Sequence, residues 1–175
     1  MSNFQALTED KIKYDEKKGT IQIESRAGTV KEFHKGTELV RRLIESKRAV
    51  TIQYGANEAS PIGKSRFGLW VKKTGSDALV SFNPESNPLI WTKTKEGIEE
   101  KRERPAYIAL GHELIHALRI IKGDFLGGYA KKDSLNLPKE EMATVGLKRE
   151  HAEITENQLR REHGVDQRSR YSEDW

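Results

Sequence analysis

Pro105-Ala106-Tyr107-Ile108-Ala109-Leu110-Gly111-His112-Glu113-Leu114-Ile115-His116-Ala117-Leu118-Arg119-Ile120-Ile121-Lys122-Gly123 is the stretch on which the reading of this chain turns. Proline lacks the N–H that a first helical turn leaves unused, and glycine accepts the left-handed conformation that closes a helix. The two residues therefore punctuate a helix of about 18 residues, roughly 27 Å long. With His112 as the angular origin, Tyr107, Leu110, Leu114, Leu118 and Ile121 fall on the far side, and Ile108 and Ile115 flank it. A helix that is apolar nearly all round is central to its fold.

On the remaining sector the helix carries His112-Glu113-x-x-His116, the pattern H-E-x-x-H. Residues four apart share a helix face, so two imidazoles can reach one Zn²⁺, and Glu113, about 100° round, is near enough to work on a water there. The chain has five histidines, and the chance of this pattern arising somewhere in it is about 0.016 on the residue types required. Two histidines and a glutamate would be costly to bury in such a helix unless something pairs them.

Outward from this helix, the chain reads as α+β, strands first and helices after. Thr20–Glu24 alternates apolar and polar residues, and Val50–Tyr54 and Ala78–Asn83 are further strand signals, with a possible fourth at Gly68–Val71. Gly36-Thr37 opens a helix with its stripe at Leu39, Val40, Leu43 and Ile44. After the loop at Gly127-Gly128 and Lys131–Ser134, a helix runs from near Pro138 to Gly146. Another runs from Thr155, an N-cap with Gln158 three residues on, to Gly164. The first 19 residues read as a loose arm on a single domain spanning 1–175.

Composition narrows the classes. The 175 residues carry a formal charge of +4, with 33% charged and 35% hydrophobic residues and no cysteine. Disulfide scaffolds and Cys-ligated zinc are excluded. No run approaches the ~18 apolar residues of a bilayer span, and the first ten residues lack the basic head and apolar stretch of a Sec signal. The basic pairs Lys17-Lys18, Arg41-Arg42, Lys72-Lys73 and Arg160-Arg161 are scattered among acids, so a nucleic-acid face is not expected. A catalytic zinc takes three protein ligands and leaves a position open. The third candidates downstream are Asp124, Asp133, Glu140, Glu141, His151 and Glu153, of which Glu140 and Glu141 open a helix that can cross to the first.

Gly111–Ala117 followed by Glu140-Glu141-x-x-Thr144-x-Gly146 resembles the core of clostridial neurotoxin light chains. With Glu156-Asn157-Gln158-Leu159-Arg160-x-Glu162-x-Gly164 and Arg168-x-x-Tyr171, it is more closely similar to small type III-secreted effector zinc proteases. Related domains also end polymorphic bacterial toxins. The likeness covers about residues 105–171. It implies a zincin-like peptidase with a small N-terminal sheet and a helical C-terminal part. The zinc ligands it implies are His112, His116 and Glu141, with Glu140 in support.

Glu113 would take a proton from water and pass it to the leaving amine, and Arg168 or Tyr171 would donate to the oxyanion. Ala78–Asn83 could pair with an extended substrate. The resemblance implies a monomer exported by a dedicated, non-Sec machine, with a secretion chaperone or immunity protein as companion. It would cleave a specific protein in the cytosol of a target cell. Two other readings are an interbacterial toxin domain and a zinc-stabilised binding module without turnover. His34, His151 and His163 are left over, the last two expected in solvent.

Overall fold

The structure, a computed structural model, describes residues 2–63, 74–126, 136–147 and 153–171. Among them the order is α1 (Ser2–Gln5), β1 (Lys11–Asp15), β2 (Thr20–Ser25), α2 (His34–Ile44), β3 (Val50–Tyr54), β4 (Glu58–Pro61), β5 (Ala78–Phe82), β6 (Leu89–Lys93) and β7 (Glu99–Glu103). There follow α3 (Ala106–Lys122), α4 (Asn136–Val145), α5 (Glu156–Glu162) and β8 (Gln167–Arg168). The class is α+β. The possible strand at Gly68–Val71, Asp133 and His151 lie outside the described residues, and among these no helix is long and apolar enough to cross a membrane.

The central helix α3 starts after Pro105 and closes at Gly123, whose φ of 83° supplies the left-handed turn that lets Asp124 N–H donate to Arg119 O at 2.9 Å. Every residue from Ile108 to Leu118 is buried, as the apolar surround requires. Around it pack α1, α2, α5 and a three-stranded sheet of order β3-β5-β4. Strand β5 runs parallel to β3 (Ile52 opposite Val80) and antiparallel to β4 (Ala59 opposite Val80). This corrects the expectation that 78–83 could receive a substrate strand. With neighbours on both sides and four of its five residues buried, β5 has no edge to offer.

A second three-stranded sheet, β7-β6-β8, is antiparallel throughout, and β8 joins it by pairing Arg168 with Thr92. The N-terminal residues are not a loose arm. Phe4, Leu7 and Ile12 enter the core at 6%, 0% and 8% exposure, β1 and β2 form a hairpin, and Asp10 takes a two-pronged ion pair from Arg41 at 2.6 Å. Three apolar residues spaced through a polar segment make too sparse a pattern to read as periodic, yet all three belong to the core cluster.

Candidate metal and catalytic centre

Helix α3 presents His112 and His116 on one face, 3% and 4% exposed. Their Nε2 atoms lie 3.1 Å apart. Glu141, from α4, brings Oε2 to 3.1 Å from His112 Nε2 and Oε1 to 3.2 Å from His116 Nε2. Of the proposed third donors among the described residues, Glu141 is the one that closes this triangle. Asp124 and Glu153 are largely exposed and face Lys122 instead.

Two further carboxylates hold the imidazoles from behind. His112 Nδ1–H donates to Glu156 Oε2 at 2.8 Å, and His116 Nδ1–H donates to Glu140 Oε1 at 3.0 Å. Such bonds fix ring orientation and tautomer, leaving the Nε2 lone pairs to face the centre. Glu140 also accepts from Arg119 Nε at 2.8 Å and from the Leu126 N–H at 2.8 Å. Glu156 accepts from Arg160 Nε at 2.6 Å and lies 3.5 Å from Arg168 Nη1.

Glu156 reaches His112 because α5 packs against α3 at Gly111. A Cβ there would stand 2.7 Å from Leu159 Cδ1 and 3.3 Å from Leu7 Cδ2. The cap of α5 is the expected box: Thr155 Oγ1 accepts from Gln158 N–H, and Gln158 Oε1 accepts from Thr155 N–H. Sequence reading placed Glu156 in a motif without giving it the His112 contact, which spans 44 residues.

The electrostatics favour a positive charge at the centre. Burial opposes protonation of His116, but Glu141 and Glu140 outweigh it and raise the imidazole well above its ordinary value. Burial likewise pushes the Glu141 carboxyl up, and the two histidines more than reverse that. Glu140 and Glu156 are matched by Arg119 and by Arg160 with Arg168. Glu141 and Glu113 have no Lys or Arg ion pair among the described residues. Two carboxylates without cations, beside two lone-pair nitrogens 3.1 Å apart, match the needs of a divalent ion. Donors about 2.0–2.1 Å from a tetrahedral ion sit about 3.3 Å from one another. The donor set therefore fits a divalent metal ion.

The centre opens on a cleft of about 450 Å³, bounded also by β4 around Glu58 and Ala59, by Arg104 and by Tyr171. Glu113 lines it, and its carboxylate has no hydrogen-bond partner among the described residues. Arg168 is committed elsewhere: Nη2 donates to Tyr171 O at 2.9 Å and Nε to Arg170 O at 3.2 Å. Its backbone is bracketed by Asn157 at 2.8 and 3.0 Å. The Tyr171 ring stacks 4.8 Å from the Arg168 guanidinium. Burial first, and then Glu141, push the Tyr171 hydroxyl up to about 12, so it stays a donor. His163 is not in open solvent: its ring stacks on Phe33 at 4.3 Å, because the start of α2 covers the end of α5.

Helix-borne histidines and a crossing glutamate on an open cleft, with a second carboxylate that has no hydrogen-bond partner among the described residues, are a donor set consistent with a metal ion. The chain belongs to the Peptidase_M91 family, described as effector protein, whose model matches residues 8–171. The match takes in β1 through β7 as well as the helical half. No curated protein and no solved structure matches the chain.

Proposed function

We propose that this effector peptidase is a zinc-dependent endopeptidase of zincin-like fold. It would be exported by a dedicated machine and act on a specific protein in the cytosol of a target cell. The carrying observation is the triangle of His112, His116 and Glu141 at 3.1–3.2 Å, open to a cleft that Glu113 also lines. A bound zinc ion, held by those three residues, would supply Lewis-acid polarisation and a lowered pKa for water. The chain's own groups do the rest. Glu113 takes a proton from the attacking water and returns it to the departing amine. The Tyr171 hydroxyl donates to the carbonyl oxygen as negative charge grows on it. Arg168 positions Tyr171 through the carbonyl bond and the ring contact.

Three donors beside a cleft favour turnover over a purely structural zinc, which takes four protein ligands. The test is elemental analysis of the purified chain together with a search for new protein termini in target-cell lysate. Glu113→Gln should keep one zinc per chain and lower cleavage by about 10²–10⁴-fold. Full activity in that variant would refute the mechanism, and zinc without any Glu113-dependent cleavage would leave the binding-module reading.

A further inference from the structure

Arg104 stands between β7 and α3, immediately ahead of Pro105, and borders the cleft of the metal and catalytic centre. It is 8% exposed. Its Nε–H is buried with no acceptor among the described residues, and no carboxylate among them forms an ion pair with it. The other guanidiniums around the site are engaged. Arg119 lies on Glu140, Arg160 on Glu156, and Arg168 on Glu156 and two carbonyls.

A guanidinium nitrogen taken out of water without an acceptor is destabilising, and native proteins seldom leave one so; the rest of the Arg104 fork borders the cleft. Burial lowers the hold of Arg104 on its proton, and Glu156 and Glu113 compensate only from a distance. Arg104 lines the same cleft as Glu113, Glu141 and Tyr171, which places it beside the reacting groups. The planar guanidinium presents its donors in the geometry that a carboxylate accepts in two bonds. A group that completes Arg104 must therefore be anionic, planar and delivered through this cleft.

We propose that Arg104 seats a carboxylate of the peptide substrate, so that an acidic residue beside the scissile bond selects where the chain is cut. The inference deepens the peptidase reading and rests on it. Arg104 is a specificity residue: it is completed in the bound ground state as well as in the transition state, so its loss falls on KM. Aspartate or glutamate side chains and a free chain terminus share the required chemistry.

The zinc-loaded full chain is incubated with a degenerate peptide library, and the products are sequenced by mass spectrometry. One cleaved sequence is then made as an acid and amide pair (Glu against Gln at the selected position), each with a free or an amidated C-terminus. The acidic member should be favoured about 10- to 100-fold in kcat/KM, the range of a hydrogen-bonded charge. In Arg104→Gln that ratio should collapse to within about 2-fold, the change carried by KM, and Arg104→Lys should restore part of it. Glu113→Gln, with and without Arg104→Gln, gives the same ratio as binding of the fluorescent acidic peptide, without turnover. A Glu-over-Gln preference that survives amidation places the carboxylate on a side chain, whereas an equal loss of cleavage in both members on amidation places it at the chain end and overturns the proposal.

Because an unpaired charge is removed, Arg104→Met should melt no lower than the wild type. A lower melting point would make Arg104 a structural residue and overturn the proposal. Cleavage without acidic preference, or an equal fall in kcat on both peptides in Arg104→Gln, would also overturn it and leave the peptidase reading standing. Absence of any Glu113-dependent cleavage would remove both.

Discussion

Glu156→Gln tests whether the centre is organised from behind. The carboxylate is 0% exposed and meets His112 Nδ1 at 2.8 Å and Arg160 Nε at 2.6 Å, with Arg168 at 3.5 Å. Burial pushes its carboxyl up, but the His112 bond and the Arg160 and Arg168 charges hold it well below the usual range. The amide keeps the shape and removes the charge. Arg160, 1% exposed, and Arg168, 6% exposed, then lose their shared anion. Removing one partner of a buried pair costs about 3–5 kcal/mol. At roughly 2–4 °C per kcal/mol for a domain of this size, the melting point should fall by about 6–20 °C. Zinc affinity should drop about 10- to 100-fold as His112 loses its fixed tautomer and orientation. The assays are a chelator-competition titration and thermal unfolding followed by circular dichroism with metal absent. A zinc Kd within about 2-fold of wild type, with a melting point within about 2 °C, would refute the reasoning.

Other perturbations test other parts. Gly111→Val should overpack Leu159 and Leu7 at the α3–α5 contact, costing about 1–3 kcal/mol by denaturant titration. It should weaken zinc binding too, since Glu156 moves with α5. Free zinc at a thousandfold excess over its Kd should stabilise the fold by about 4 kcal/mol. The melting point should therefore track free zinc, and His116→Ala should abolish the dependence. The Arg41 bonds hold the Asp10 carboxyl below its ordinary value against the opposing effect of burial. A depressed carboxyl contributes stability that is full above the unfolded pKa of about 3.9 and is lost as pH falls through the folded one. Melting curves from pH 6 to 2 should be flatter for Asp10→Asn, which starts about 1–3 kcal/mol less stable.

What could be read from sequence was local. Pro105 and Gly123 bound α3 because each suits one helix end, and Val50–Tyr54 coincides with β3. Thr155 and Gln158 form their capping box because both halves lie within one turn. Strand β7 escaped notice because Glu-Glu-Lys-Arg-Glu has no apolar alternation. It is a strand by virtue of pairing with β6, where Trp91 stands opposite Lys101. Strand β4 ends on Pro61, which reads against a strand, yet it pairs antiparallel with β5. The same limit governs the site. The histidine pair is legible because one helical turn joins it. Glu141 was one of several candidates until α4 was placed. Glu156 and Arg104 acquire their settings from contacts that no spacing rule encodes.

The distance in sequence between His112 and Glu156, 44 residues, has a temporal meaning. In a chain that is synthesised or threaded N-terminus first, the imidazoles emerge long before the acid that steers them and the arginines that neutralise that acid. Strand β8 comes later still, and with it the tyrosine at the rim of the cleft. A chain that has emerged only as far as α3 thus carries the motif without Glu141, Glu156 and Tyr171 around it.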